Sequence, residues 1–246
     1  MNKIVVLLTG VVLCGNLLAA ENFSATQQKI EQAMQGAIRT DADKARDATE
    51  RKPVQTLEFF GLRENMRVLE LVPGGGWYTK ILAPVLRENG KLYVSISTDG
   101  VAESVLNQPG FDRVEVLPIP EGMELGNMGV FSFGLSDLDM VLTFRNLHNM
   151  SAESRANVNR AVFDSLKSGG LYGIKDHTRR HNEPESRANG RRLDPVLVIK
   201  EVQAAGFELA DFSDLHYSPV DALALEVGNA DVTGRTDRFT LLFRKP

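Results

Sequence analysis

The sequence predicts an α/β fold, a mostly parallel sheet with helices on both faces, and three observations carry that prediction. From Arg67 onward short apolar runs alternate with helical patterns; two runs, VLELV at 68–72 and MVLTF at 140–144, are apolar almost throughout; and three consecutive glycines follow the first of them. Strand and helix in alternation build a parallel sheet, and a strand covered on both faces loses the polar alternation of a half-exposed one. The two apolar runs are therefore read as central strands. With 246 residues, 43% of them hydrophobic, the chain can bury a large core.

The elements follow in order. Residues 1–20 carry Lys3, an apolar run from Ile4 to Leu13, and small residues at Ala19 and Ala20, the pattern of a secretory signal peptide cleaved after Ala20. The run falls short of the roughly 20 residues needed to span a bilayer, so no stable span is expected after cleavage. Two other readings stand beside it: an uncleaved anchor, and a lipid on Cys14, which Leu13 disfavours because a small residue should precede a lipidated cysteine. Cleavage predicts a periplasmic or secreted protein. It also removes the single cysteine, and with it disulfides, thiolate nucleophiles and Cys-ligated metals.

Residues 21–52 are predicted to form an N-terminal helical segment, with Ile30, Met34 and Ile38 on one stripe, acting as a lid or packing arm. Residues 53–246 then form one domain. Pro53 opens a short helix carrying Val54, Leu57 and Phe60 and closed by Gly61. Strands are expected at 67–72, 91–97, 113–119, 138–144, 171–175, 207–212 and 238–244. Of the helices, 79–88 places Ile81, Leu82, Val85 and Leu86 on one face and bends at Pro84; another begins at Ser151, carries Val158, Val162 and Leu166, and stops at Gly169-Gly170. Asp194-Pro195 opens the last, which carries Val198 and Val202 and ends at Gly206.

Composition narrows the function. Against 28 Lys and Arg stand 32 Asp and Glu, a net charge of -4, which removes the electrostatic footprint of a nucleic-acid binder. His148, His177, His181 and His216 lack metal-site spacing, so no metal is expected, and G-x-S-x-G, Walker and C-x-x-C motifs are absent. A nicotinamide enzyme would need G-x-G-x-x-G, which GGGW does not supply.

The chemistry gathers at VLELVPGGGWYTK, 68–80, where a buried strand enters Pro73, Gly74, Gly75, Gly76 and Trp77 before a helix. Glycines let a ligand lie against bare main chain, and Glu70 at the strand end can hold a cationic or hydroxyl-bearing part of it. This stretch resembles the class I S-adenosylmethionine-dependent methyltransferases, and more closely a group of exported predicted methyltransferases with the same PGGGWYT stretch. The resemblance extends over nearly all the chain from about Ala45. It implies the Rossmann-like class I methyltransferase fold, a seven-stranded sheet with an antiparallel last strand, and S-adenosylmethionine as cofactor.

In that superfamily the loop reads acid-x-Gly-x-Gly-x-Gly, which falls here on Glu70, Val72, Gly74 and Gly76, so Val72 departs from the pattern and Pro73 stiffens the turn. By the same resemblance Asp99 accepts the ribose hydroxyls; a plain turn at Thr98-Asp99-Gly100 explains the same residues. The fourth strand ends in TFRNLHNM, and the resemblance implies that Thr143, Arg145 and Asn146 lie there near the methyl end of the cofactor. His148 stands there as a candidate base, or as a cap on the coming helix, and His177 in KDHTRRH is a second candidate for the acceptor pocket. Arg179, Arg180, Arg187, Arg191 and Arg192 suggest either attraction to an anionic acceptor or a solvated loop. The implied activity is methyl transfer to a small-molecule acceptor. The alternative is a ligand-binding or sensing protein that keeps the fold.

Overall fold

The computed structural model describes the main chain from Val12 to Pro246 and side chains from Phe23 onward. The leader expected over 1–20 lies mostly outside the described residues. No helix among the described residues is long and apolar enough to cross a membrane.

Seven strands form one sheet in the order β3-β2-β1-β4-β5-β7-β6. They are β1 (Arg67–Leu71), β2 (Lys91–Ser95), β3 (Glu115–Leu117), β4 (Leu138–Phe144), β5 (Leu166–His177), β6 (Glu208–Ser213) and β7 (Arg238–Arg244). The first five run parallel to one another; β7 runs antiparallel to both β5 and β6. This is the sheet the sequence predicted, with β1 and β4 at its centre. Because chain order reverses between β1 and β4, a crevice opens at their carboxyl ends, where ligands of open α/β sheets bind.

Alternation along the strands divides the core in two. Val68, Met140, Leu142 and Phe144 face α1 (Val12–Met34), α3 (Pro53–Phe59) and α4 (Thr79–Leu86); Leu69, Leu71, Val141 and Ile174 face α6 (Ala152–Ser165) and α7 (Pro195–Ala204). Glu70 shares the parity of Val68 and so points toward α4. Lys175 and Asp176, adjacent on β5, leave by opposite faces.

Most elements end within two residues of expectation, and three differ more in extent. The helix expected over 21–52 is broken: α1 ends at Met34, α2 (Asp41–Ala45) restarts behind a capping box between Thr40 and Asp43, and a π-helical turn, Asp47–Arg51, follows. A helix interrupted by Gly36 and restarted by a strong N-cap cannot continue as one rod. Leu166 opens β5 instead of closing α6, and Gly169-Gly170 lies within the strand. The register slips there, Leu138 pairing with Leu166 but Met140 with Leu171, and Gly169 takes a φ of 77°. That is a bulge, for which glycine serves as well as it does for a helix stop. Finally, β3 is shorter than 113–119, as an edge strand often is.

Gly173 on β5 shows how tightly α3 sits on the sheet. A Cβ there would come within 2.8 Å of both Phe60 and Leu142. Gly173→Ala should therefore cost about 1–3 kcal/mol of stability in urea unfolding, and Phe60→Leu in the same chain should recover part of it.

Candidate functional site

A cavity of about 280 Å³ opens at the carboxyl edge of β1 and β4. Its floor is the turn after β1, with Val72, Pro73, Gly74 and Gly75; one wall is Phe144, Arg145 and Asn146 after β4; Asp43, Arg46 and Arg51 form the roof, and Glu70, Trp77 and Tyr78 also line it.

The turn keeps the path a glycine would give it. Val72, at the first glycine position of the motif, has φ 51°, left-handed and costly for a β-branched residue. Two bonds hold it there: its N–H donates to the Ser95 carbonyl at 2.9 Å, and its carbonyl accepts from Asn146 Nδ2 at 3.0 Å. Strain held by surrounding bonds is characteristic of ligand sites. Gly74 and Gly75 have nothing within 4 Å of where a Cβ would stand, so their main chain is bare, whereas Gly76 is bare for packing, a Cβ there lying 2.5 Å from Val105.

Residues 35–52 close over this turn. Trp77 Nε1 donates to the Asp43 carbonyl at 3.2 Å, and Lys80 pairs with the Asp43 carboxylate at 2.8 Å. The Arg51 guanidinium lies 4.8 Å from the centre of the Trp77 ring. The segment thus acts as a packing arm that also lines the cavity.

Glu70 is only 2% exposed and accepts the Thr79 hydroxyl at 2.6 Å. Burial pushes its carboxyl up to about 8, against the lowering effects of the Thr79 bond and the Arg51 charge. A carboxyl shifted this far favours its neutral form at neutral pH.

Behind the cavity, Lys175 is fully buried and bonds Tyr78 Oη at 2.8 Å, with His216 Nε2 at 3.4 Å. Burial, then the charges of Arg51, Arg238 and Arg145, hold Lys175 well below the ordinary lysine range. Burial likewise lowers His216 to about 2.

On the other face, His148 Nδ1 meets Asp176 Oδ1 at 2.5 Å, and the His148 N–H donates to Oδ2 at 3.2 Å. With Asp176 fully buried, the imidazole is fixed with Nδ1–H toward the carboxylate, which leaves Nε2 as the basic nitrogen. The His177 ring lies 5.4 Å away, its Nδ1 bonded to Thr236 Oγ1 at 2.9 Å, and burial followed by the Arg238 charge drives its pKa far down. It is a neutral neighbour.

Of the residues singled out from sequence, Glu70, Pro73, Gly74, Gly75, Trp77, Arg145 and Asn146 line the cavity. Gly76, Thr143, Asp99, His148 and His177 do not. Thr143 is buried under it with an unbonded hydroxyl. Asp99 is exposed at the start of a short turn, but Gly100 beside it abuts the glycine turn, a Cβ at Gly100 lying 3.0 Å from the Gly74 carbonyl. The histidines stand together at the adjoining strand ends.

Four of the five downstream arginines are engaged: Arg179 with Glu185 at 3.4 Å within the same stretch, and Arg192 with Asp221 at 2.8 Å in the interior, Arg191 with Glu226 and Arg180 with the Ala222 carbonyl across to the next long connection. Sequence reading missed Asp43, Arg46, Arg51, Tyr78 and Asp176. The density of charge in DADKARDATERK, 41–52, was the available signal for the first three. No group of three or more His, Asp or Glu suited to a metal occurs among the described residues.

Comparison with known proteins agrees on the fold. A S-adenosylmethionine-dependent methyltransferase from Aquifex aeolicus superposes with a TM-score of 0.54 at 19% identity, over 83% of this chain and 98% of its own. The glycopeptide N-methyltransferase MtfA gives 0.54 at 16%, over 84% and 100%. The [4+2]-cyclase SpnF gives 0.55 at 19%, over 83% and 81%. The chain therefore has the class I methyltransferase fold, one that also carries an enzyme named for a different reaction. No family model matches the chain, and no curated protein matches it either.

The Glu70 environment makes a prediction. The folded carboxyl keeps its proton up to about pH 8, whereas the unfolded one loses it near 4.5, so this contribution is complete below 4.5 and is lost as pH rises through 8. Glu70→Gln lacks that loss. Its unfolding free energy relative to the parent should rise by about 2–4 kcal/mol between pH 5 and pH 8 in urea titrations.

Proposed function

We propose that the chain is a S-adenosylmethionine-dependent methyltransferase acting on a small-molecule acceptor, exported from the cytoplasm, and akin to the exported group with the PGGGWYT stretch. The observation that carries the reading is the bare main chain of Gly74 and Gly75 at the crevice between β1 and β4, with Glu70 on one side and Asp99, across the Gly74–Gly100 contact, on the other. The donor set fits the cofactor. Glu70 ionises to accept its ammonium group, the glycine turn lies along its chain without Cβ contacts, and Asp99 takes the ribose hydroxyls.

Bound there, the cofactor supplies an electrophilic methyl group on a sulfonium. The protein's own part is to align the acceptor and to remove its proton. His148, oriented by Asp176, is the base for an acceptor that must lose a proton, and His177 stays neutral beside it. A second reading, a binding protein without transfer chemistry, is favoured by the placement of Asp99 outside the cavity lining and by the small cavity volume.

Calorimetric titration of the purified protein with S-adenosylmethionine and S-adenosylhomocysteine separates the two. Both ligands should bind, and Gly75→Asp, which has room for its Cβ and so should fold, should lose them. Absence of binding by the parent at high micromolar ligand sinks the methyltransferase reading. Export is tested by fusing residues 1–21 to a reporter that works only outside the cytoplasm; signal is expected, and a silent reporter with intact fusion protein refutes it.

A further inference from the structure

We infer that Arg51 and Arg145 form a binding site for an anionic group, a carboxylate or phosphate, of a small ligand in the cavity beside the glycine turn. Arg51 is 4% exposed, lines the cavity, and makes no side-chain hydrogen bond or ion pair among the described residues; its contacts are the faces of Trp77 and Tyr78. Arg145 lines the same cavity from the opposite wall, held at φ 64°, and its side chain likewise makes no hydrogen bond or ion pair among the described residues. The Nε atoms of both are buried and unbonded. A guanidinium cannot shed its charge at neutral pH, and a buried charge left without a counter-ion is costly.

The carboxylates nearby are committed. Asp43 is bonded to Lys80, Glu50 is shared between Arg46 at 3.2 Å and Arg238 at 3.8 Å, and Asp176 belongs to His148. Glu70 makes its hydrogen bond to Thr79, and burial pushes its carboxyl toward the neutral form against the pull of the Arg51 charge. Burial and then the charge of Arg145 lower Arg51 to about 9, so it stays protonated at neutral pH and repels its neighbour. Two mutually repelling guanidiniums with free Nε donors, one lying over an indole ring, suit an oxyanion, since planar forks match the oxygens of carboxylate and phosphate.

The anion site stands whether or not the chain transfers methyl groups. Within the methyltransferase reading, the anion has two sources, the carboxylate of the cofactor and an anionic group on the acceptor.

Inorganic phosphate is the probe. In phosphate-free buffer it should raise the melting temperature saturably, beyond sodium chloride at matched ionic strength, and Arg51→Met and Arg145→Ala should each weaken its binding at least tenfold. Without anion, Arg51→Met should melt no lower than the parent, because it removes an uncompensated charge; a merely structural arginine would give a lower value. Should Arg51→Met fail to fold, Arg145→Ala, which removes no bond, carries the test. A phosphate effect equal to that of sodium chloride, or one unchanged in the Arg145 variant, overturns the site. Repeating the titration with saturating S-adenosylhomocysteine distinguishes the sources: competition assigns the anion to the cofactor, and undiminished phosphate binding assigns it to the acceptor. Failure of S-adenosylhomocysteine to bind, with phosphate binding intact, removes the methyltransferase reading and leaves the anion site.

Discussion

The carboxyl edge of this sheet depends on main chain held in a conformation that its side chains disfavour. Val72, Ile96 and Arg145, each just past the end of β1, β2 or β4, all take positive φ between 51° and 64°. Left-handed backbone is costly for such residues, and hydrogen bonds between neighbouring strand ends offset part of the cost. Val72 N–H reaches Ser95, Asn146 reaches back to Val72, and Arg145 N–H donates to the Lys175 carbonyl at 2.7 Å. Because the three turns brace one another, the glycine turn stays open and the arginine wall stays beside it.

The sheet then sorts the chemistry by face. Alternation on β5 sends Lys175 toward Tyr78 and His216, in an interior that suppresses its charge, and sends Asp176 toward His148. One face gathers Arg51, Arg145, Arg238 and Lys175 around Glu50; the other holds a histidine oriented by an acid. In the proposed function, proton removal would draw on the second arrangement, and the proposed anion site on the first. Both meet at Arg145 and Asn146, where β4 leaves the sheet.

Much of this was legible because it is local. The parallel sheet follows from alternating apolar and helical runs, its central strands from two runs apolar almost throughout, and the bare turn from Gly74 and Gly75 after the first of them. His148 and His177 were singled out from their place after strands, although their approach to one another across the ends of β4 and β5 was not. What sequence hid is long-range. Arg51 sits in a segment whose periodicity near Ile30 and Met34 suggested packing alone, and only the chain's return over Trp77 brings it to the cavity. Conversely, the arginines from 179 to 192 looked like an anion-attracting cluster, yet partners such as Asp221, distant in sequence, consume them. Val72 seemed to break the loop; the bonds from Asn146 and to Ser95 that hold it were not visible in a linear reading.

The most direct test of the central claim, that the bare turn after β1 is the seat of an adenosyl ligand, is a crystal structure of the protein with S-adenosylhomocysteine. The account predicts ligand density along the main chain of Gly74 and Gly75, its amino group within hydrogen-bonding distance of Glu70. Density at another place, or a turn collapsed onto Arg51 with no ligand beside it, would contradict it.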